Sequence, residues 1–254
     1  MPIYKSTDEP LDIYEAAFMM KGSTVVFGSD VFIEATGGTI TYDGGYKIHT
    51  FTAAGTGSFL VNEKSSNEYN NQVEYLIQAG GGSGARIVNA TTFASAGGAG
   101  YIQTGSYSLP TKGNFEVIIG AGGTNPAGTL YDGIDGKNSS IFGIIACSGS
   151  GGIANGGGGS NCVYTGSTAG NFNNGAGASN QANAIDAGGV WDSTINSGSI
   201  QDISGTPTEY GRAGLRYNQG FDSNIKGSGG NGGNSSNDST IGADGIVIIR
   251  YPYR

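Results

Sequence analysis

Charge is scarce in this chain. Only 13 % of its 254 residues are charged, about half the ~25 % usual in a globular domain. Lys and Arg together number 12 and form no run, so the electrostatic footprint of a nucleic-acid binder is missing. The net charge of −8 is spread thinly and bears on solubility more than on a cationic partner. There is one histidine and there are two cysteines, too few for a zinc centre of the usual ligand set or for a disulfide framework. Cys147 and Cys162 can close a loop worth about 3 kcal/mol. The stronger reading is that Cys147, at the end of an apolar strand, is a small buried hydrophobe with an unpaired thiol. No stretch reaches the ~20 apolar residues of a membrane span. Asp8 and Glu9 interrupt the start where a secretory leader would need an apolar run, so synthesis in a cytoplasm without a cleaved leader is expected. No heptad stretch supplies a coiled-coil stem.

What the chain has instead is glycine: 49 residues, roughly a fifth of the total against a typical ~7 %. The glycines form short runs directly after apolar segments, as in VEYLIQAGGGSG, FEVIIGAGG and IFGIIACSGSGG. The run Gly229-Gly230-Asn231-Gly232-Gly233-Asn234 repeats Gly-Gly-X every three residues. That is the period of the polyproline II helix, which has three residues per turn and no internal hydrogen bonds. Glycine rows let such helices lie side by side and bond to one another. A helix at the centre of such an array needs glycine on all three rows, which Gly80–Gly82 and Gly156–Gly159 provide. A helix at the rim keeps one side-chain row, which places Asn231 and Asn234 outward. Glycine-rich sequence is more often a flexible linker. Here 14 Tyr, 10 Phe and 1 Trp, with so little charge, argue for packing instead.

The fold class expected is all-β: an antiparallel β-sandwich or jelly-roll-like core carrying packed polyglycine, polyproline-II-type helices. Core strands are expected within 25–60, 74–79, 115–119, 141–147 and 246–251. In VEYLIQA, Val73, Tyr75 and Ile77 alternate with Glu74 and Gln78, so one face is half wet. IFGIIAC and IVIIRY are apolar on both faces and belong inside a sandwich or beneath a cover. Residues 1–22 read as a separate leader with one short helix after Pro10, too narrow in its apolar stripe to stand alone, and residues 23–254 as the glycine-rich β domain. Between Cys147 and Ile241 no strand or amphipathic helix is evident, and a loop that long is improbable in a compact domain.

The order GYKIHTFTAAGTGSFLV, VEYLIQAGGGSGA, AGGAGY, FEVIIGAGG, GKNSSIFG, a glycine-rich stretch and GADGIVIIRYPY resembles the glycine-rich domain common in tailed-bacteriophage tail-fibre and other virion proteins and in related bacterial surface proteins. The likeness runs over roughly 41–254. A more distant one is to the glycine-rich extracellular domain of certain receptor tyrosine kinases. The resemblance implies a virion or cell-surface role in adhesion or structure, in symmetric oligomers such as a homotrimer, with the leader joining the chain to other virion proteins. It implies no catalytic residue, cofactor or metal.

The chemistry-bearing motifs are weak beside that. Gly149-x-Gly151-x-x-Ala154 and Gly227-x-Gly229-x-x-Gly232 fit a dinucleotide fingerprint in spacing, but neither is followed by the helix that would hold a pyrophosphate. His49 sits in a strand with no nucleophile-elbow sequence in the chain, and reads as a structural or surface strand histidine. Asp132 and Asp135 have calcium-loop spacing, yet Gly133 and Gly136 make the same residues a pair of turns. Asp186, Asp192 and Asp202 offer carboxylates near Trp191 without evidence of a facing pair. Tyr164, Trp191, Asp192, Tyr210, Tyr217 and Phe221 stand among Asn, Ser and Gly, as the aromatics of a glycan- or protein-binding surface do. The competing reading is that they staple the glycine-rich region to the sheet. The resemblance thus implies a non-enzymatic virion structural or receptor-binding component of a tailed phage, with a bacterial adhesion module or a depolymerase as alternatives.

Overall fold

The computed structural model describes residues 31–87, 96–125, 130–154, 199–212, 214, 224–233 and 238–253. Two five-stranded antiparallel sheets form its body. One runs in the order β1 (Glu34–Thr36), β4 (Gly55–Glu63), β8 (Gly113–Ile119), β10 (Ser139–Ile141), β11 (Ile144–Ala146). The other runs β2 (Thr39–Asp43), β3 (Tyr46–Phe51), β14 (Ile246–Pro252), β5 (Gln72–Gln78), β7 (Ile102–Ser108). The pairs β6 (Arg86–Ile87) with β9 (Leu130–Tyr131), and β12 (Ser199–Gln201) with β13 (Thr208–Tyr210), complete the strands. Among the described residues the only helical turn is a 3₁₀ turn at Glu68–Asn70.

Period-two alternation sets the core. Phe59 and Val61 of β4, Val117 and Ile119 of β8 and Ile141 of β10 meet Val73 and Ile77 of β5 and Val247, Ile249 and Tyr251 of β14 in one buried cluster between the sheets. The second sheet is covered on its other face too. There Ile48, Leu76, Ile246 and Ile248 pack with Ile203 and Tyr210 from the β12–β13 region. Apolar residues on both faces of IVIIRY follow from that double cover.

The glycine runs continue the strands. Segment 79–85 follows β5, 120–125 follows β8 and 147–153 follows β11, while 96–101, 132–138 and 239–245 lead into β7, β10 and β14. Segment 79–85 lies at the centre. Its N–H groups donate in strict rotation: Ala79 and Gly82 to the carbonyls of Tyr101 and Gly98, Gly80 and Ser83 to Lys137 and Ile134, Gly81 and Gly84 to Ala243 and Thr240. Its carbonyls accept from the other three neighbours: Gly80 and Ser83 from Gly149 and Gly152, Gly82 and Ala85 from Gly230 and Gly233, and Gly81 from Gly123. Each partner therefore recurs every three residues, the repeat read from the glycine pattern.

The six neighbours close a ring around the centre. Hydrogen bonds join 96–101 to 226–233, then to 239–245, 120–125, 132–138, 147–153 and back to 96–101. Falling numbers against rising ones make successive ring members antiparallel. The centre donates to the three antiparallel neighbours and accepts from the three parallel ones. No segment bonds within itself over this stretch, so each depends on its neighbours to satisfy buried backbone. An added methyl at Gly81 would lie well inside van der Waals contact of the Ser228 carbonyl oxygen, and one at Gly82 inside that of Ser150.

Several sequence expectations are corrected. Residues 141–147 are not one strand. Ile141 pairs with Ile144 across a two-residue turn in which Phe142 and Gly143 have φ 56° and 76°, values that suit a type I′ hairpin. Phe142 holds this unfavourable φ by stacking on Tyr107, with ring centroids 4.2 Å apart and planes 3° apart, and by edge contacts with Phe59 and Phe115. Because alanine keeps the left-handed φ penalty and glycine does not, Phe142→Gly should be more stable than Phe142→Ala by about 1 kcal/mol in chemical denaturation. Gln78 is buried, not wet, its Nε2 donating to the Gly100 carbonyl at 2.7 Å. Asn231 is buried inside the array and not outward, and Asn234 lies outside the described residues. Cys147 is buried and disulfide-bonded, not a free thiol; Cys162, the other cysteine in the sequence, lies outside the described residues. The β12–β13 hairpin interrupts the stretch read as strandless.

Candidate functional site

Of the residues read as a contact surface, Tyr164, Trp191, Asp192, Tyr217 and Phe221 lie outside the described residues, as does the leader 1–22. Tyr210 is described, and it is not a surface residue. Only 2 % exposed, it packs on Ile48, Leu76 and Ile248 from the end of β13, which makes it a staple of the covering hairpin. Burial pushes its phenol above the ordinary tyrosine range.

The dinucleotide-like glycines are committed elsewhere. The N–H of Gly149 donates to the Gly80 carbonyl, that of Gly227 to Asp244 and that of Gly229 to Arg212. A phosphate cradle needs those amides free, so these spacings are array geometry. The calcium-like pair is likewise engaged. Asp135 Oδ1 accepts from the Gly151 N–H and Asp132 Oδ1 from the Ala154 N–H, both at 2.7 Å. The two carboxylates tie segment 132–138 to segment 147–153 and to Ala154 just after it. Among the described residues no group of three or more His, Cys, Asp or Glu is placed to hold a metal ion. Asp202, the described member of the carboxylate cluster, caps a turn through its carbonyl, which accepts from the Gly205 N–H at 2.8 Å; Asp186 lies outside the described residues.

His49 is fully buried in β3. Its Nδ1 lies 2.8 Å from the Gly37 carbonyl, so Nδ1 carries the proton and donates. Nε2 then accepts from the Tyr251 hydroxyl at 3.0 Å. The Tyr251 ring stacks beside the imidazole and Phe59 meets it edge-on. Burial lowers the imidazole pKa, the bond to Gly37 opposing and Lys47 adding to the shift. Burial also pushes the Tyr251 phenol far above its usual value. This is a neutral hydrogen-bonded pair buried inside the sandwich, so of the structural and surface readings of His49 the structural one fits.

One open feature was not legible as a motif. Where the β12–β13 cover ends, the outer face of the second sheet forms a shallow cleft of about 180 Å³. Tyr46 (β3), Arg250 (β14), Glu74 and Gln72 (β5) and Ser106 (β7) line it across four adjacent strands, with Tyr69 of the 3₁₀ turn on its rim. Arg250 Nε bonds Glu74 Oε2 at 2.7 Å, and the guanidinium lies 4.9 Å from the Tyr46 ring centre. These residues alternate out of the core strands, so in sequence they look like the ordinary wet positions of VEYLIQ and IVIIRYP.

No curated protein matches this chain. A family model described as a glycine-rich domain matches residues 56–252, from early in β4 to the last residue of β14, and so takes in the seven glycine segments found among the described residues. The match covers most of the chain, and the protein belongs to this glycine-rich domain family.

Proposed function

We propose that this chain is a non-enzymatic structural protein of a tailed-phage virion, a tail-fibre or receptor-binding component that contacts the host surface. The observation that carries the reading is the glycine array itself. Seven backbone segments locked by inter-segment hydrogen bonds make a rigid mount that invests little side chain in chemistry. Turns leaving such a mount can differ in length and content while staying fixed in position, which lowers the ordering cost of contact. Residues around Tyr164, 191–196, Tyr217 and Phe221 are the proposed host-facing set, with Trp191 the leading contact; Tyr210, buried at the end of β13, is not among them. The leader 1–22 joins the chain to other virion proteins. A homotrimer is the proposed assembly, since a repeated weak site gains avidity.

A bacterial surface or secreted adhesion module is the second reading, and the same mount would serve it. The test uses the full chain. Labelled protein should bind host cells, release no reducing ends from host polysaccharide, and co-sediment with phage particles produced by infected cells. Deleting 1–22 should abolish particle association and leave cell binding intact. Cell binding with no association to any particle favours the bacterial module. Release of reducing ends makes the protein a depolymerase.

A further inference from the structure

The geometry points to the cleft on the outer face of the second sheet as a binding site for a single neutral sugar unit of a glycan. Three features carry this. First, its charge is internally balanced. Arg250 is paired with Glu74 and lies over Tyr46, so the site presents donors and acceptors without a net charge to recruit an ion. A carboxylate beside a guanidinium and the Gln72 amide offers the adjacent acceptor and donor groups that neighbouring hydroxyls of a pyranose need. Second, the rim carries a held aromatic. Tyr69 is 91 % exposed, and its turn is firmly built. Asn67 Oδ1 accepts from the Tyr69 N–H at 3.1 Å. The buried Asn71 side chain accepts from the Ser65 N–H at 2.8 Å and donates to the Ser65 carbonyl at 3.2 Å. Buried polar groups are thus spent on fixing a loop whose tip is a solvent-facing ring, which presents an apolar plane at low ordering cost. Third, the cleft is small and rigidly mounted, which suits a ligand no larger than one ring. About 180 Å³ falls below the ~300 Å³ where drug-sized pockets begin, and the lining side chains rise from four hydrogen-bonded strands that hold them in place.

The inference deepens the host-contact reading by naming a ligand class, and it stands or falls separately from virion membership. The test is saturation-transfer NMR on the full chain with methyl hexopyranosides, and with glucuronate and sialic acid as charged comparators. Neutral pyranosides should receive saturation and compete with one another at millimolar concentration. Tyr69→Ala, a substitution at an exposed ring, should keep the melting temperature and weaken binding about tenfold. Gln72→Ala should weaken it in the same direction. The proposal is overturned if no neutral pyranoside binds, if the charged sugars bind better, or if Tyr69→Ala and Gln72→Ala both leave binding unchanged. Sugar binding without particle association would remove the virion reading and keep the cleft. Particle association and cell binding with no sugar bound would do the reverse.

Discussion

Gly81→Ala is expected to destabilise the protein by more than about 3 kcal/mol and to yield largely insoluble chain, although the change adds one methyl group. Gly81 lies in the middle of the central segment. Its added Cβ would overlap the Ser228 carbonyl oxygen and carbon, which are backbone and cannot rotate away. Relief requires moving segment 226–233, and that segment donates two hydrogen bonds to the centre and is bonded to the ring members on both sides. Ordinary overpacking costs about 1–3 kcal/mol because side chains shift; here backbone bonds must break as well. Gly57→Ala is the control. Gly57 lies in β4, and its added methyl would meet Phe51 at 3.4 Å and Val117 at 3.9 Å, ordinary contact distances. That variant should stay within about 1 kcal/mol of the parent in urea denaturation. Equal costs for the two would mean that the array contributes no more than a strand glycine does.

His49→Ala should cost about 3 kcal/mol or more, since it removes the acceptor of the Tyr251 hydroxyl, which keeps only its backbone bond to Ala35, and the donor to the Gly37 carbonyl, while opening space among Phe59 and Tyr251. The parent protein should also carry a pH signature. Because burial lowers the folded pKa of His49 below its ordinary 6.5, the unfolded chain binds the proton more readily than the folded one. Stability from this group is complete above about pH 6.5 and is lost as pH falls through that value toward the folded pKa, with a slope of at most about 1.4 kcal/mol per pH unit. His49 is the only histidine, so a slope between pH 6.5 and 5.5 belongs to it. The His49→Ala variant should be flat there. Tyr251 has the opposite sense: its raised pKa means stability falls above about pH 10, where unfolded tyrosine ionises and the folded phenol does not. A parent protein with no slope below pH 6.5 would contradict the buried neutral pair.

The array was legible because its determinant is local. Glycines at 80–82 remove side chains from a backbone that must be approached from every side, and the three-residue spacing is visible as spacing. So were Val73, Ile77, Val117 and Ile119, whose alternation is the direct print of a buried face. Failures came where tertiary context overrode the pattern. Phe142-Gly143 sits inside an apolar run that periodicity reads as one strand, and only the Tyr107 stack explains a phenylalanine in a left-handed turn. Gln78 looks wet by alternation, but the array begins at its neighbour Ala79 and buries it. Asn231 stands on a row that glycine spacing puts at the rim, whereas it is 3 % exposed, its backbone bonded on both sides to Thr240 of segment 239–245. β12 and β13 leave no print in the sequence because SIQ and TEY are three-residue strands held by Ile203 and Tyr210 packing on the second sheet. The cleft was invisible because it assembles single wet positions from four strands and a turn.

Native-state amide hydrogen exchange tests the central claim most directly. The amides of Gly80, Gly81, Gly82, Ser83 and Gly84 lie in no strand or helix, yet all donate to carbonyls of three neighbouring segments at 2.9–3.0 Å. They should exchange only through global unfolding, as slowly as Ile248 in the middle of β14. If these five amides instead exchange orders of magnitude faster than Ile248, at the rate of an open glycine loop, the glycine segments are not a hydrogen-bonded array and the rigid-mount account fails.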